Sequence, residues 1–103
     1  MDSIIRGTNA AIRIKITDDV DISEMTAAEL HIFQCGREIV KHMQDLSIEA
    51  NTVSYRMTQE ETLKLMPGPA EITLIGMLGE DRFETRPVVS VEVENTRKNE
   101  VMT

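Results

Sequence analysis

An all-β fold is predicted for this chain on three observations. Apolar residues recur at every second position in several short runs, turn-forming residues separate those runs, and a single segment carries helical spacing with both a start and a stop. Such closely spaced strands specify a β-sandwich or a barrel. The competing architecture is α+β, because Met25 to Ile32 and Glu60 to Met66 can each be written as short helices, yet only the second has the terminal signals.

The first strand is Ala11 to Thr17, with Ile12, Ile14 and Ile16 facing a core while Arg13 and Lys15 face water. Asp18, Asp19 and Asp21 make the following loop. Ala27 to Gln34 comes next, with Ala28, Leu30 and Ile32 on one face. Cys35-Gly36 then turns the chain into Arg37 to Met43, a hairpin in which glycine tolerates positive φ. Leu46 to Glu49 reads as a short edge strand.

Thr52 to Leu78 forms a strand-crossover-strand corner. Val53, Tyr55 and Met57 share a face, and Thr58-Gln59-Glu60-Glu61 has the spacing of a capping box ahead of Leu63, Leu65 and Met66. Pro67-Gly68-Pro69 stops this crossover helix, placed at Glu60 to Met66. Period two resumes from Ala70 to Leu78, with Ala70, Ile72, Leu74 and Leu78 on one side. Gly79-Glu80-Asp81 turns into Arg82 to Arg86, where Pro87 forces a break or an edge position. Val89, Val91 and Val93 form the last strand, giving six or seven in all. Asn95 to Thr103 has little to bury and reads as a frayed tail, so the domain is taken as residues 1–95 and the flexible tail as 96–103. Met1 to Gly7 is similar, except that Ile4 and Ile5 are able to pair along an edge.

A chain of 103 residues fits one compact domain. Its hydrophobic share of 41% includes three aromatics, Phe33, Tyr55 and Phe83, so aliphatic residues and seven methionines must fill the interior. The formal charge of −7 disfavours nucleic acid and anionic membranes as partners, since both call for clustered Lys and Arg. No apolar run approaches the ~20 residues that span a bilayer. With Cys35 as its single cysteine the chain forms no internal disulfide, and the expected setting is a reducing cytoplasm or an assembly made there. Met1-Asp2-Ser3 starts no signal peptide.

The sequence offers little chemistry, and no catalytic residue, cofactor site or metal site is assigned. In a two-residue hairpin His31 faces Val40 and His42 faces Glu29, which makes the imidazoles diagonal neighbours at roughly 7 to 8 Å. Cys35 sits at the turn, too far along to complete a tetrahedral metal site, so partly exposed strand histidines are preferred. Asp18, Asp19, Asp21 and Glu24 invite a calcium reading but lack the glycine and distal glutamate of an EF-hand loop. A solvated loop is the simpler account. Glu60 with Glu61 fits a helix first turn, and Glu80 with Asp81 a hairpin turn. Neither pair resembles two carboxylates flanking a substrate.

Several short motifs together suggest a relationship. Gly7-Thr8 precedes the first strand, Phe33-Gln34-x-Gly36 with Ile39-Val40 spans the first hairpin, Met57-Thr58-Gln59-Glu60-Glu61-Thr62 precedes the crossover, and the strand from Gly68 to Leu78 follows. In this order, over roughly Gly7 to Val93, the chain resembles small proteins encoded in phage and prophage regions of Gram-positive bacteria. Their sandwich is similar to the immunoglobulin-like N-terminal domain of phage baseplate proteins. The resemblance implies an antiparallel Ig-like β-sandwich of about seven strands, serving as a virion-associated or prophage-encoded structural module. Cys35 stands where a turn-former such as Asn is expected, and Ile75-Gly76-Met77 replaces a more polar strand.

The expected function is therefore non-enzymatic protein-protein binding as a structural or adaptor component of a tail or baseplate assembly, in the bacterial cytoplasm or on the virion. Self-association or phage tail proteins are the expected partners. Ile75 and Met77 are opposite in parity to Ile72 and Leu74, so that strand is apolar on both faces and its outer face needs a cover. The crossover helix, a second subunit or a tail protein can supply it. Ile75, Met77, Leu46 and Ile48 are the candidate interface residues, the last two on an edge strand open to pairing. The alternatives are a monomer with edges guarded by Lys41, Arg86 and Pro87, and a small-ligand or carbohydrate-binding sandwich. Three aromatics and no Trp leave sugar stacking little to work with.

Overall fold

The computed structural model describes residues 3–16, 21–85 and 89–102, and over them the chain is an all-β sandwich. Nine strands form two sheets: β1 (Ser3–Ile5), β2 (Ala11–Lys15), β3 (Ala27–Gln34), β4 (Arg37–His42), β5 (Ser47–Glu49), β6 (Thr52–Arg56), β7 (Gly68–Leu78), β8 (Asp81–Glu84) and β9 (Val89–Glu94). The large sheet runs β1-β9-β7-β3-β4, with β8 also on β7, and the small sheet runs β2-β6-β5. The chain passes between the sheets in groups of strands and not strand by strand: β1 lies in the large sheet, β2 in the small, β3 and β4 in the large, β5 and β6 in the small, and β7 to β9 in the large.

The periodicity is realised almost residue for residue. Ile12, Ile14 and Ile16 from β2, Ala28, Leu30 and Ile32 from β3, Val53 and Met57 from around β6, Ala70, Ile72 and Leu74 from β7, and Val91 and Val93 from β9 are all buried in one core. Alternation therefore aims both sheets inward. Met25 starts no helix; strand β3 begins two residues later, preceded by a 3-10 turn at Ile22–Glu24 whose cap, Asp21, accepts from the Ser23 N–H. Asp18, Asp19, Arg86 and Pro87 lie outside the described residues.

Cys35 and Gly36 have φ of 49° and 78°, the two left-handed residues of a type I′ turn, and the ladder from Gln34–Arg37 to Glu29–His42 follows from it. Gly76 has a different reason to be glycine. A Cβ there would come within 2.6 Å of the Phe83 ring and 2.7 Å of the Met25 sulfur, so the missing side chain lets Phe83 pack over β7.

Three expectations are corrected. The strand count is nine rather than about seven among the described residues, and one pairing is parallel: β1 runs alongside β9, Ile4 opposite Val93, because Ile4 is buried against the core. The crossover helix α1 is Gln59–Leu63, one residue earlier and three residues shorter at its end than Glu60 to Met66. Its Thr58 cap and Glu61 form the foreseen capping box, with Glu61 N–H on Thr58 Oγ1 at 3.1 Å and Thr58 N–H on Glu61 Oε1 at 2.9 Å. The early end has a cause on another strand: Gln34, buried at the end of β3, accepts from the Met66 N–H at 2.7 Å and donates to the Met66 carbonyl at 2.6 Å. Its amide holds that backbone extended. Thirdly, Lys41 does not guard the β4 edge; opposite Leu30 on the inward-facing side, it reaches Glu61 of α1.

β7 is long enough to take two partners along one side. Its first half pairs with β9 and its last four residues with β8. Between them Thr85 bridges the gap, its N–H donating to the Leu74 carbonyl at 3.0 Å and its hydroxyl accepting from the Leu74 N–H at 3.1 Å.

Candidate interaction surface on the large sheet

With the inward parity assigned, the residues between the core positions define the outer face of the large sheet. Ala27, Glu29, His31 and Phe33 project from β3, Glu38, Val40 and His42 from β4, and Thr73, Ile75 and Met77 from β7. Registers place Ile75 between Glu29 and Glu84, and Met77 between Ala27 and Arg82. Ile75 and Met77 are each half-buried by these neighbours, and they line a shallow depression with Glu29, His31 and Arg82. Helix α1 does not cover them; it lies at the other side, where Glu61 meets β4 and β6. Phe33, 44% exposed, lies farther along the same face toward the hairpin tip, between Glu38 and Glu71 and separated from Ile75 by His31 and Thr73.

The polar part of this face is built around His31. Its Nε2 lies 2.9 Å from Glu29 and its Nδ1 3.3 Å from Glu38, while His42 Nδ1 is 4.0 Å from the other Glu29 oxygen. A neutral imidazole has one donor and one acceptor nitrogen, so two carboxylate contacts are satisfied together only by the imidazolium. Burial works against that charge, but the hydrogen bonds to Glu29 and Glu38 outweigh it and raise the His31 pKa. The hairpin register anticipated the His31 and His42 placement. The same register, Phe33 on Glu38 and Glu29 on His42, is the sequence signal for the carboxylates that flank the imidazole. Among the described residues no group of three His, Cys, Asp or Glu is arranged to hold a metal ion.

Leu46 and Ile48 have a different disposition. Ile48 pairs with Val53, a core residue, and both it and Leu46 pack against the core half-buried. What β5 presents outward is its free backbone edge, with Ser47 and Glu49 exposed.

A second cluster joins β4, β6 and α1, and nothing local in the sequence signals it. Glu61 accepts from the Tyr55 hydroxyl at 2.6 Å and the Thr58 N–H at 2.9 Å, and pairs with Lys41 at 2.5 Å, whose ammonium also lies 5.3 Å from the Tyr55 ring centre. Burial alone would raise the Glu61 pKa, but Lys41, the Thr58 N–H and Tyr55 together bring it below the usual value. Tyr55 is raised by burial and by Glu61. All the partners of this carboxylate belong to the framework, so the cluster ties the two sheets together across the corner. Cys35 is exposed at the hairpin tip.

No protein-family profile matches the chain, and no curated protein matches it in sequence. Among solved structures it is similar to part of an endo-beta-1,4-mannanase from Thermotoga petrophila, with a TM-score of 0.62 and 11% identity. The match covers 93% of this chain and 18% of that chain. At that identity the likeness concerns the fold alone.

Proposed function

We propose that this sandwich acts by protein-protein binding through the outer face of its large sheet, as a structural or adaptor component of a phage- or prophage-derived tail or baseplate assembly. The observation that carries the binding reading is the apolar strip of Ile75 and Met77, with Phe33 and Val40 farther along the same face, where water-facing strand positions are ordinarily polar. Carboxylates border the strip, and a polar border around an apolar centre is how protein interfaces are built. The assembly setting rests on the resemblance in the order of motifs from Gly7 to Val93. Localisation follows it: bacterial cytoplasm, then virion. The carbohydrate-binding alternative ranks behind, because Phe33 is the sole aromatic residue among those placed on this face.

The test is incorporation into particles. A tagged copy expressed in a lysogenic host should sediment with tail-containing particles after induction, and Ile75→Glu with Met77→Glu should move it to the top of the gradient while leaving its melting temperature within a few degrees. Wild-type protein absent from the particle fractions overturns the assembly reading.

A further inference from the structure

The two outer faces of the sandwich carry opposite charge. On the large sheet, Glu29, Glu38, Glu71, Glu84, Glu92 and Glu94 share the outward parity, against Arg82 and the two histidines. On the small sheet, the outward positions of β2 and β6 bring Arg13, Lys15 and Arg56 together, with two acids beside them, Glu49 from β5 and Asp45, which lines a shallow depression with Arg13 and Arg56. Among the described residues none of these three cations has a hydrogen-bond or ion-pair partner within the molecule. In a chain of net charge −7, a cationic face whose charges have no partner among the described residues is a marked asymmetry.

We propose that the occupant of the large-sheet face is a second copy of this chain, docked head to tail by its small-sheet face. This rests on the binding surface proposed above and names its partner. Two large-sheet faces meeting each other in a two-fold dimer would oppose glutamates to glutamates around Ile75 and Met77, whereas a large-sheet face meeting a small-sheet face opposes glutamates to Arg13, Lys15 and Arg56. The faces lie on opposite sides of the sandwich, so each copy keeps one unsatisfied face after pairing. Association is therefore heterologous and continues into a ring or an open stack. The apolar strip supplies burial, and the charges set orientation.

The experiment is a charge swap read by light scattering. Wild-type protein at about 0.01 M salt, where the Debye length is about 30 Å, should show a mass above the monomer, falling toward the monomer near 1 M salt, where it is about 3 Å. Arg13→Glu with Lys15→Glu, and separately Glu71→Lys with Glu92→Lys, should each be monomeric at low salt. All four positions are exposed, so circular dichroism should show both variants folded. Mixing the two variants should restore the large species, because each then presents a face complementary to the other. Persistent self-association of the Arg13/Lys15 variant indicates a two-fold contact and overturns the proposal, as does a monomeric mixture. Wild-type protein monomeric at low salt also overturns it, while sedimentation with particles, which reads binding to a foreign partner, remains a separate measurement.

Discussion

His31 is the residue whose chemistry depends most on its neighbours. Because its folded pKa is raised, the stability it contributes is fully present below its unfolded value of about 6.5 and is lost as pH rises through the raised folded value. Glu29 and Glu38 are 47% exposed, so solvent screening keeps the effect modest. His31→Gln should accordingly lower the melting temperature near pH 6 and change it little near pH 9; an equal loss at both pH values would contradict an imidazolium between the two glutamates. Thr58 makes the other residue-scale case. Its hydroxyl satisfies the Glu61 N–H and its own N–H is satisfied in return, so Thr58→Ala should cost ~1 kcal/mol by denaturant titration, with an unchanged midpoint ruling the cap out.

At the scale of elements, local chemistry was the legible part. Strand β3 appears over the predicted residues, and the register of β4 on β3 follows once Cys35-Gly36 is taken as a two-residue turn. The capping box at Thr58 needed four residues to recognise. What could not be read locally is set by residues distant in sequence: the end of α1 depends on Gln34 reaching Met66, and Lys41 turns inward because Glu61 waits twenty residues later. The parallel partner of β1 is equally invisible, since Ile4 meets Val93 only after both sheets exist. The outer face of β7 was legible in its parity but not in its cover, because the position of α1 is a tertiary result. The hairpin tip gives the element-scale prediction. Cys35 holds φ of 49°, where Asn costs less than most residues, so Cys35→Asn should stabilise by a few tenths to ~1 kcal/mol. A lower unfolding midpoint for that variant would contradict a type I′ turn.

For the whole molecule, Arg6 is the point at which separate parts converge. Its guanidinium donates to the Leu63 and Leu65 carbonyls at the end of α1, at 3.1 and 2.7 Å, and to Asn95 and Asn99 of the C-terminal segment at 2.8 and 2.9 Å. Farther along that segment, Met102 exchanges two hydrogen bonds with the Gln59 side chain. Losing charged hydrogen bonds of this kind typically costs about 1.5 to 3 kcal/mol where they are shielded, and less where exposed. Arg6→Ala should therefore lower global stability by about 1 to 2 kcal/mol and speed amide exchange across residues 95–102. Unchanged exchange there would mean that the segment is held by other contacts.

The parallel ladder of β1 on β9 also determines how the domain would bear tension. Load entering at Ser3 and leaving at Glu94 pulls the two strands past each other along their length, so the backbone bonds from Ser3–Glu92 to Ile5–Glu94 are strained together and not one after another. Pulling across Arg37 and Glu49, on β4 and β5, the edge strands of the two sheets, would instead peel strands away in sequence. Single-molecule extension should record a higher rupture force with handles at the first pair of attachment points than at the second, and equal forces would show that the short terminal ladder carries no load.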